Sequence, residues 1–169
     1  MHSAERKNSN GNNKIESDRE TLNRRVIENM VEGFAKHDID LIMHQFAEDA
    51  VYYDMHGGGV NGQEYLGKEA IRQIFSRYFS ALPNHTYEDA KIVVSGDQVH
   101  ANWNLVVGNQ RNKSQIYRTR GSDYFELKDG KVVVKNAWIM NINTLRAVVW
   151  KTRLKELLSF ESVRKSMPV

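Results

Sequence analysis

The second half of this chain limits its fold most. Four strand-like segments, roughly residues 86–95, 98–109, 114–127 and 131–141, follow one another there with little between them. Gly96-Asp97 and Asp129-Gly130 mark tight turns, and connections that short join antiparallel neighbours. The first half reads differently. Leu22, Val26, Met30 and Phe34, with Ile27 and Val31 beside them, recur at helical spacing from Thr21 to near Lys36. Asp38 stands where an N-cap carboxylate accepts from open amides, ahead of a second stripe of Ile39, Ile42, Met43 and Phe46. A third stripe, Ile71, Ile74, Phe75, Tyr78, Phe79 and Leu82, starts after Gly67 and stops at Pro83. Residues 50–55 are β-branched and aromatic and predict a short strand running into Gly57-Gly58-Gly59, read as a flexible pocket rim. Each helix has one apolar stripe and the sheet one apolar face, so both must be buried together. The expected class is α+β, with a curved antiparallel sheet wrapped around the N-terminal helices and enclosing a pocket.

Residues 1–20 contain no apolar run and predict a disordered polar tail, too polar for the hydrophobic region of a secretory signal. A single domain is expected over 21–169, a length that suits one core. Its last segment, from 144 to about 160, sets Leu145, Val148, Val149, Leu154, Leu157 and Leu158 among lysines and arginines. That pattern predicts a C-terminal amphipathic helix packed on the domain or over a pocket mouth. No apolar stretch approaches the roughly 20 residues of a membrane span, so no membrane association is expected. The chain has no cysteine, which excludes disulfides, thiolate metal sites and a cysteine nucleophile and makes the cytoplasm the default location. Its net charge of +3 is spread among acids and reads as a solvated surface, not a nucleic-acid interface. His37, His44, His56, His85 and His100 show neither short ligand spacing nor companion carboxylates on one face, so no metal is expected. The triple glycine lacks the Lys and Ser/Thr of a phosphate loop.

Phe34-Ala35-Lys36-His37-Asp38-Ile39-Asp40, followed by Gln45-Phe46-Ala47-Glu48-Asp49-Ala50-Val51-Tyr52-Tyr53-Asp54, resembles the opening of SnoaL-like and ketosteroid-isomerase-like proteins. Gly67-Lys68-Glu69-Ala70-Ile71 resembles that family's third-helix start, and the run from Gly121-Ser122-Asp123-Tyr124-Phe125 to Lys131 resembles its penultimate strand and turn. The resemblance extends in order from Thr21 to Asn141. It implies the cone-shaped nuclear-transport-factor-like fold, a conical pocket for a small apolar molecule, no cofactor, and commonly a homodimer through the outer face of the sheet. It specifies a fold better than an activity, because this scaffold serves isomerases, cyclases, dehydratases, epoxide hydrolases and non-catalytic binding or dimerisation modules.

Resemblance to ketosteroid isomerase, a pairing long used to illustrate pKa tuning, places Asp54 at the general base and Asp123 at the neutral acid that donates to an enolate oxygen. The residues themselves support an inward Asp123, which alternates with Gly121, Phe125 and Leu127 on one strand face. Such an acid either lines a cavity free of cations or is paired structurally with Arg118, Arg120 or a tyrosine. Asp54 shares a face with Tyr52 and His56; the alternative is a turn former that binds backbone amides. The isomerase's oxyanion-donating tyrosine falls here on Met30, which donates nothing. Tyr52, His56, Tyr78 and Trp103 are candidates to point inward, and Phe125 to line the pocket. His100 alternates with Asn102 and Asn104 and is expected to face outward. His56 and His85 are the candidates for the paired cavity histidines of dehydratase-like chemistry, and Asn136-Ala137-Trp138 lacks the second aspartate of the epoxide hydrolases. The expected function is a cofactor-free acid/base enzyme of the cyclase, isomerase or dehydratase type acting on a small apolar or aromatic carbonyl compound. Asp123 is its principal acid/base and Asp54 its partner. The alternative is a small-ligand-binding or dimerisation module without turnover.

Overall fold

The computed structural model describes residues 3–56, 60–108 and 116–140, with side chains from 17 onward. The elements are α1 (Ser3–Lys36), α2 (Ile39–His44), β1 (Phe46–Asp54), β2 (Gln63–Leu66), α3 (Lys68–Ala81), β3 (His85–Ser95), β4 (Gln98–Gly108), β5 (Ile116–Lys128) and β6 (Lys131–Ile139). The strands form one curved, unclosed six-stranded sheet in the order β2-β1-β6-β5-β4-β3. From β3 to β6 every pairing is antiparallel, as the short turns predict. The sheet is nevertheless mixed, because β1 runs parallel to β6. These two strands lie far apart in the chain, so no hairpin dictates their relative direction.

Asp38 caps α2, its Oδ1 accepting from the Leu41 amide at 2.9 Å. The buried stripes are those expected: Val26, Ile27 and Met30 on α1, Ile42 and Met43 on α2, and Ile71, Ile74 and Phe75 on α3. They meet Val99, Ala101, Phe125, Leu127 and Val132 of the sheet. Leu22 is half exposed instead of buried and borders Gly130 in the β5–β6 turn. Helix α1 runs on without a break from Ser3 through the segment expected as a polar tail. The turn around residues 19–23 is tied to the β3–β4 turn. Asn23 donates to the Gly96 carbonyl at 2.9 Å, the Gly96 amide donates to Glu20 at 2.9 Å, and Arg19 pairs with Asp97 at 3.3 Å. The C-terminal helix predicted from 144 and the Gly57–Gly59 rim lie outside the described residues. No helix among the described residues is long and apolar enough to cross a membrane.

Two local features shape the site. In β3 the register slips between Glu88 and Lys91, where Asp89 adopts φ 55°, and a bulge of this kind bends a strand and tightens its twist. Strand β2, which the sequence pattern did not reveal, returns along β1 with Gln63 opposite Asp54. The return is close: Gly62 has φ 79°, and a Cβ there would lie 1.8 Å from the Asp54 carbonyl oxygen. Only glycine fits that conformation and spacing.

Candidate functional site

Between the helices and the concave face of the sheet lies a cavity of about 90 Å³. By that measure one water occupies about 10–15 Å³, so the space suits a compound the size of a single ring. Much of its wall is apolar, with Val31, Phe34, Phe75 and Leu105 among the contributors. Tyr52, His56, Tyr78, His85, Tyr87, Trp103, Asp123 and Lys135 supply the polar groups. Of the residues singled out from sequence, Tyr52, His56, Tyr78, Trp103 and Asp123 line the cavity. Asp54 and Phe125 do not: Phe125 lies under the Lys135 ammonium, and Asp54 sits behind the wall.

Asp54 is 1% exposed and held entirely by side chains. The Tyr52 hydroxyl donates to its Oδ1 at 3.2 Å, His56 Nδ1 lies 2.9 Å from its Oδ2, and the Tyr78 hydroxyl donates to the same Oδ2. This is not a turn former, because its partners are not backbone amides. Burial first and the Asp54 charge second push both phenols well above their ordinary range, so they remain O–H donors at neutral pH. With Nδ1–H directed at Asp54, the basic nitrogen of the His56 ring is Nε2. A buried carboxylate that fixes a cavity histidine in one tautomer is the arrangement that turns imidazole into an oriented base.

Asp123, on β5, is the other cavity carboxylate. Trp103 Nε1, on β4, donates to its Oδ2 at 3.0 Å, and Lys135 Nζ, on β6, lies 2.8 Å from its Oδ1. The second contact is ionic and not a directed hydrogen bond, since Oδ1 accepts none. Lys135 is only 3% exposed, and its ammonium faces the rings of Tyr52, Phe125 and Phe34 at 5.0, 5.3 and 5.9 Å. Such faces attract a cation. An Asp123 free of cation contact, the condition set for a solitary neutral acid, is therefore not what the structure holds. The partner is also not Arg118 or Arg120, which lie at odd offsets from Asp123 and so on the solvent face of β5. Lys135 was missed, although it alternates with Ala137 and Ile139 just as Asp123 alternates with its apolar neighbours. Gly121 makes the Trp103 contact possible, because a Cβ there would lie 2.0 Å from the indole ring.

Tyr52, Tyr78 and Trp103 thus spend their donors on Asp54 or Asp123, and Met30 is buried in the core. His100 is exposed, as its alternation predicts. His85 lines the cavity and stacks on His37 with ring centres 4.4 Å apart; it donates from Nδ1 to the Leu82 carbonyl. Burial lowers its pKa from 6.5 to about 4. The unfolded chain therefore takes up this proton first on acidification. Stability contributed by neutral His85 is complete above pH 6.5 and drains away as pH falls towards 4. Urea denaturation at pH 7 and pH 4.5 should differ by about 2 kcal/mol from this group. In His85→Asn that part of the difference should vanish, and an undiminished difference would remove His85 as its source.

A SnoaL-like domain model matches residues 27–135, more than half of the chain. The chain belongs to the SnoaL-like family. No curated relative matches it by sequence. Among solved structures, a proposed SnoaL-like polyketide cyclase of Jannaschia sp. CCS1 superposes with a TM-score of 0.65 at 18% identity, covering 78% of this chain and 94% of its own. AclR of Streptomyces galilaeus, a proposed hydroxylase, gives 0.63 at 18% identity, covering 78% and 98%. An NTF2-like protein of Anabaena variabilis ATCC 29413 gives 0.59 at 13% identity, covering 72% and 88%. At these identities the likeness establishes the NTF2-like fold of this SnoaL-like protein and leaves its chemistry to the site. Among the described residues no three histidine or acidic side chains converge as a metal site.

Proposed function

We propose that this SnoaL-like protein is a cofactor-free acid/base enzyme of the cyclase, isomerase or dehydratase type, acting on a small apolar or aromatic carbonyl compound held in the cavity. The observation that carries this reading is the buried Asp54–His56 pair, 2.9 Å apart, whose imidazole lines a largely apolar cavity together with a second ionisable group, Asp123. His56 Nε2 accepts the proton next to the substrate carbonyl. Asp54 is a positioning residue that holds the ring and balances the imidazolium charge. Asp123 both lines the same space and pairs with Lys135 at 2.8 Å, so it is not the cation-free acid first expected; in this reading it still exchanges the second proton that cyclisation, isomerisation or dehydration requires. Proposed cyclases among proteins of this fold are compatible with the reading.

The test is α-proton exchange. Small enolisable aryl ketones in deuterated buffer are followed by NMR with and without the protein. Wild type should accelerate exchange, and Asp123→Asn, destabilised because Lys135 stays buried and unpaired, should lose about 10²–10⁴-fold of that acceleration at a temperature where circular dichroism shows it folded. Tight binding with no exchange across the panel would replace the enzyme by a small-ligand-binding module.

A further inference from the structure

We infer that the Lys135 ammonium is the seat for an acidic oxygen of the ligand, so that the cavity takes up small enols and phenols and holds them ionised; only the naming of Asp123 as proton acceptor rests on the acid/base reading above.

Lys135 is buried, lines the cavity and has one polar partner among the described residues, Asp123. An ammonium carries three N–H donors. Its remaining neighbours are ring faces, which favour positive charge but do not replace hydrogen-bond acceptors. A buried cation with donors unfilled is costly, and the cavity gives it room for an oxygen ligand. Tyr87 adds a second donor on the same wall. Its ring meets Phe34 at 5.5 Å and Trp103 at 5.0 Å, the side chains flanking Lys135 and Asp123, and its hydroxyl makes no hydrogen bond among the described residues. Burial first and the Asp123 charge second keep that phenol protonated.

Charge conservation selects the ligand class. A free anion entering the cavity would meet Asp123 as well as Lys135. A neutral enol or phenol meets no such barrier: its O–H bond breaks, the proton passes to Asp123, a new O–H bond forms there, and the oxyanion remains on Lys135. The net charge of the cavity is unchanged, and Asp123 Oδ1, which accepts no hydrogen bond, has a lone pair for the proton.

Nitrophenols are suitable probes because the ionised form absorbs at longer wavelength. In wild type, bound nitrophenol should ionise at least one pH unit below the free compound, a tenfold or greater shift towards phenolate. In the double variant D123N/K135M, which removes both buried charges together, the shift should disappear. Wild type that binds only the neutral phenol, wild type that binds no nitrophenol, or a double variant that ionises the ligand equally well would each overturn the inference. The exchange assay separates the two readings. Ionised capture without α-proton exchange would leave the Lys135 seat standing and remove the enzyme. Exchange with only un-ionised nitrophenol bound would do the reverse.

Discussion

Lys135→Met should destabilise the protein by about 3–5 kcal/mol, the range expected when one member of a buried ion pair is removed and the other is left behind. Methionine nearly matches the volume of lysine, so little of this loss comes from a cavity. It comes from Asp123, only 7% exposed, which would keep Trp103 Nε1 and lose the ammonium 2.8 Å away. For a domain of this size the melting temperature should fall by roughly 10 °C. The double variant D123N/K135M should recover most of the loss, because a buried pair replaced as a pair is often neutral. Urea denaturation of wild type, both single variants and the double variant measures the coupling directly. A Lys135→Met loss under about 1 kcal/mol would mean that water already reaches Asp123 and that the pair is effectively a surface one.

Local pattern revealed what local physics controls. Helical stripes, the Asp38 cap and the alternation of β4 and β5 were legible because burial imposes a period of 3.6 or 2.0 on the chain. Strand β2 was not, because four residues are too few to show a period and its position depends on Gly62 passing against β1. The parallel β1–β6 pairing was invisible for a related reason: no turn joins the two strands. Residues 3–20 lack an apolar stripe, so nothing in their pattern announced the helix that continues through them.

The site was half legible. Alternation turned Asp123 inward and grouped Tyr52, Asp54 and His56, and both groupings hold in the structure. Lys135 escaped because a lysine among Lys128 and Lys131 reads as solvated surface unless the strand's inward face is counted residue by residue. The Tyr78 contact with Asp54 spans helix α3 and strand β1 and has no local signature. The outcome differs from the isomerase pattern at both carboxylates. Asp54 is surrounded by three neutral or neutralisable donors and reaches the cavity only through them, whereas Asp123 lines the cavity beside an ammonium. Environment, which sets what a carboxylate can do, therefore separates these two carboxylates from the roles the resemblance implied.

Asp54→Asn tests the other half of the site, and its expected effect is a loss of about 10²–10⁴-fold in α-proton exchange with a stability loss of only about 1–3 kcal/mol. An amide has one acceptor and one donor end. Placed with its oxygen at the Oδ2 position, it still accepts from His56 and Tyr78, while the Tyr52 hydroxyl must rotate to accept from the new NH₂ group. The fold should therefore persist. The negative charge that stabilises the His56 imidazolium does not, so removal of the substrate proton slows. If Asp54 acts through His56, the losses in Asp54→Asn and His56→Gln should not add in the double variant, whereas independent roles would multiply. Multiplicative losses would separate Asp54 from His56 and return the base role to Asp123 alone.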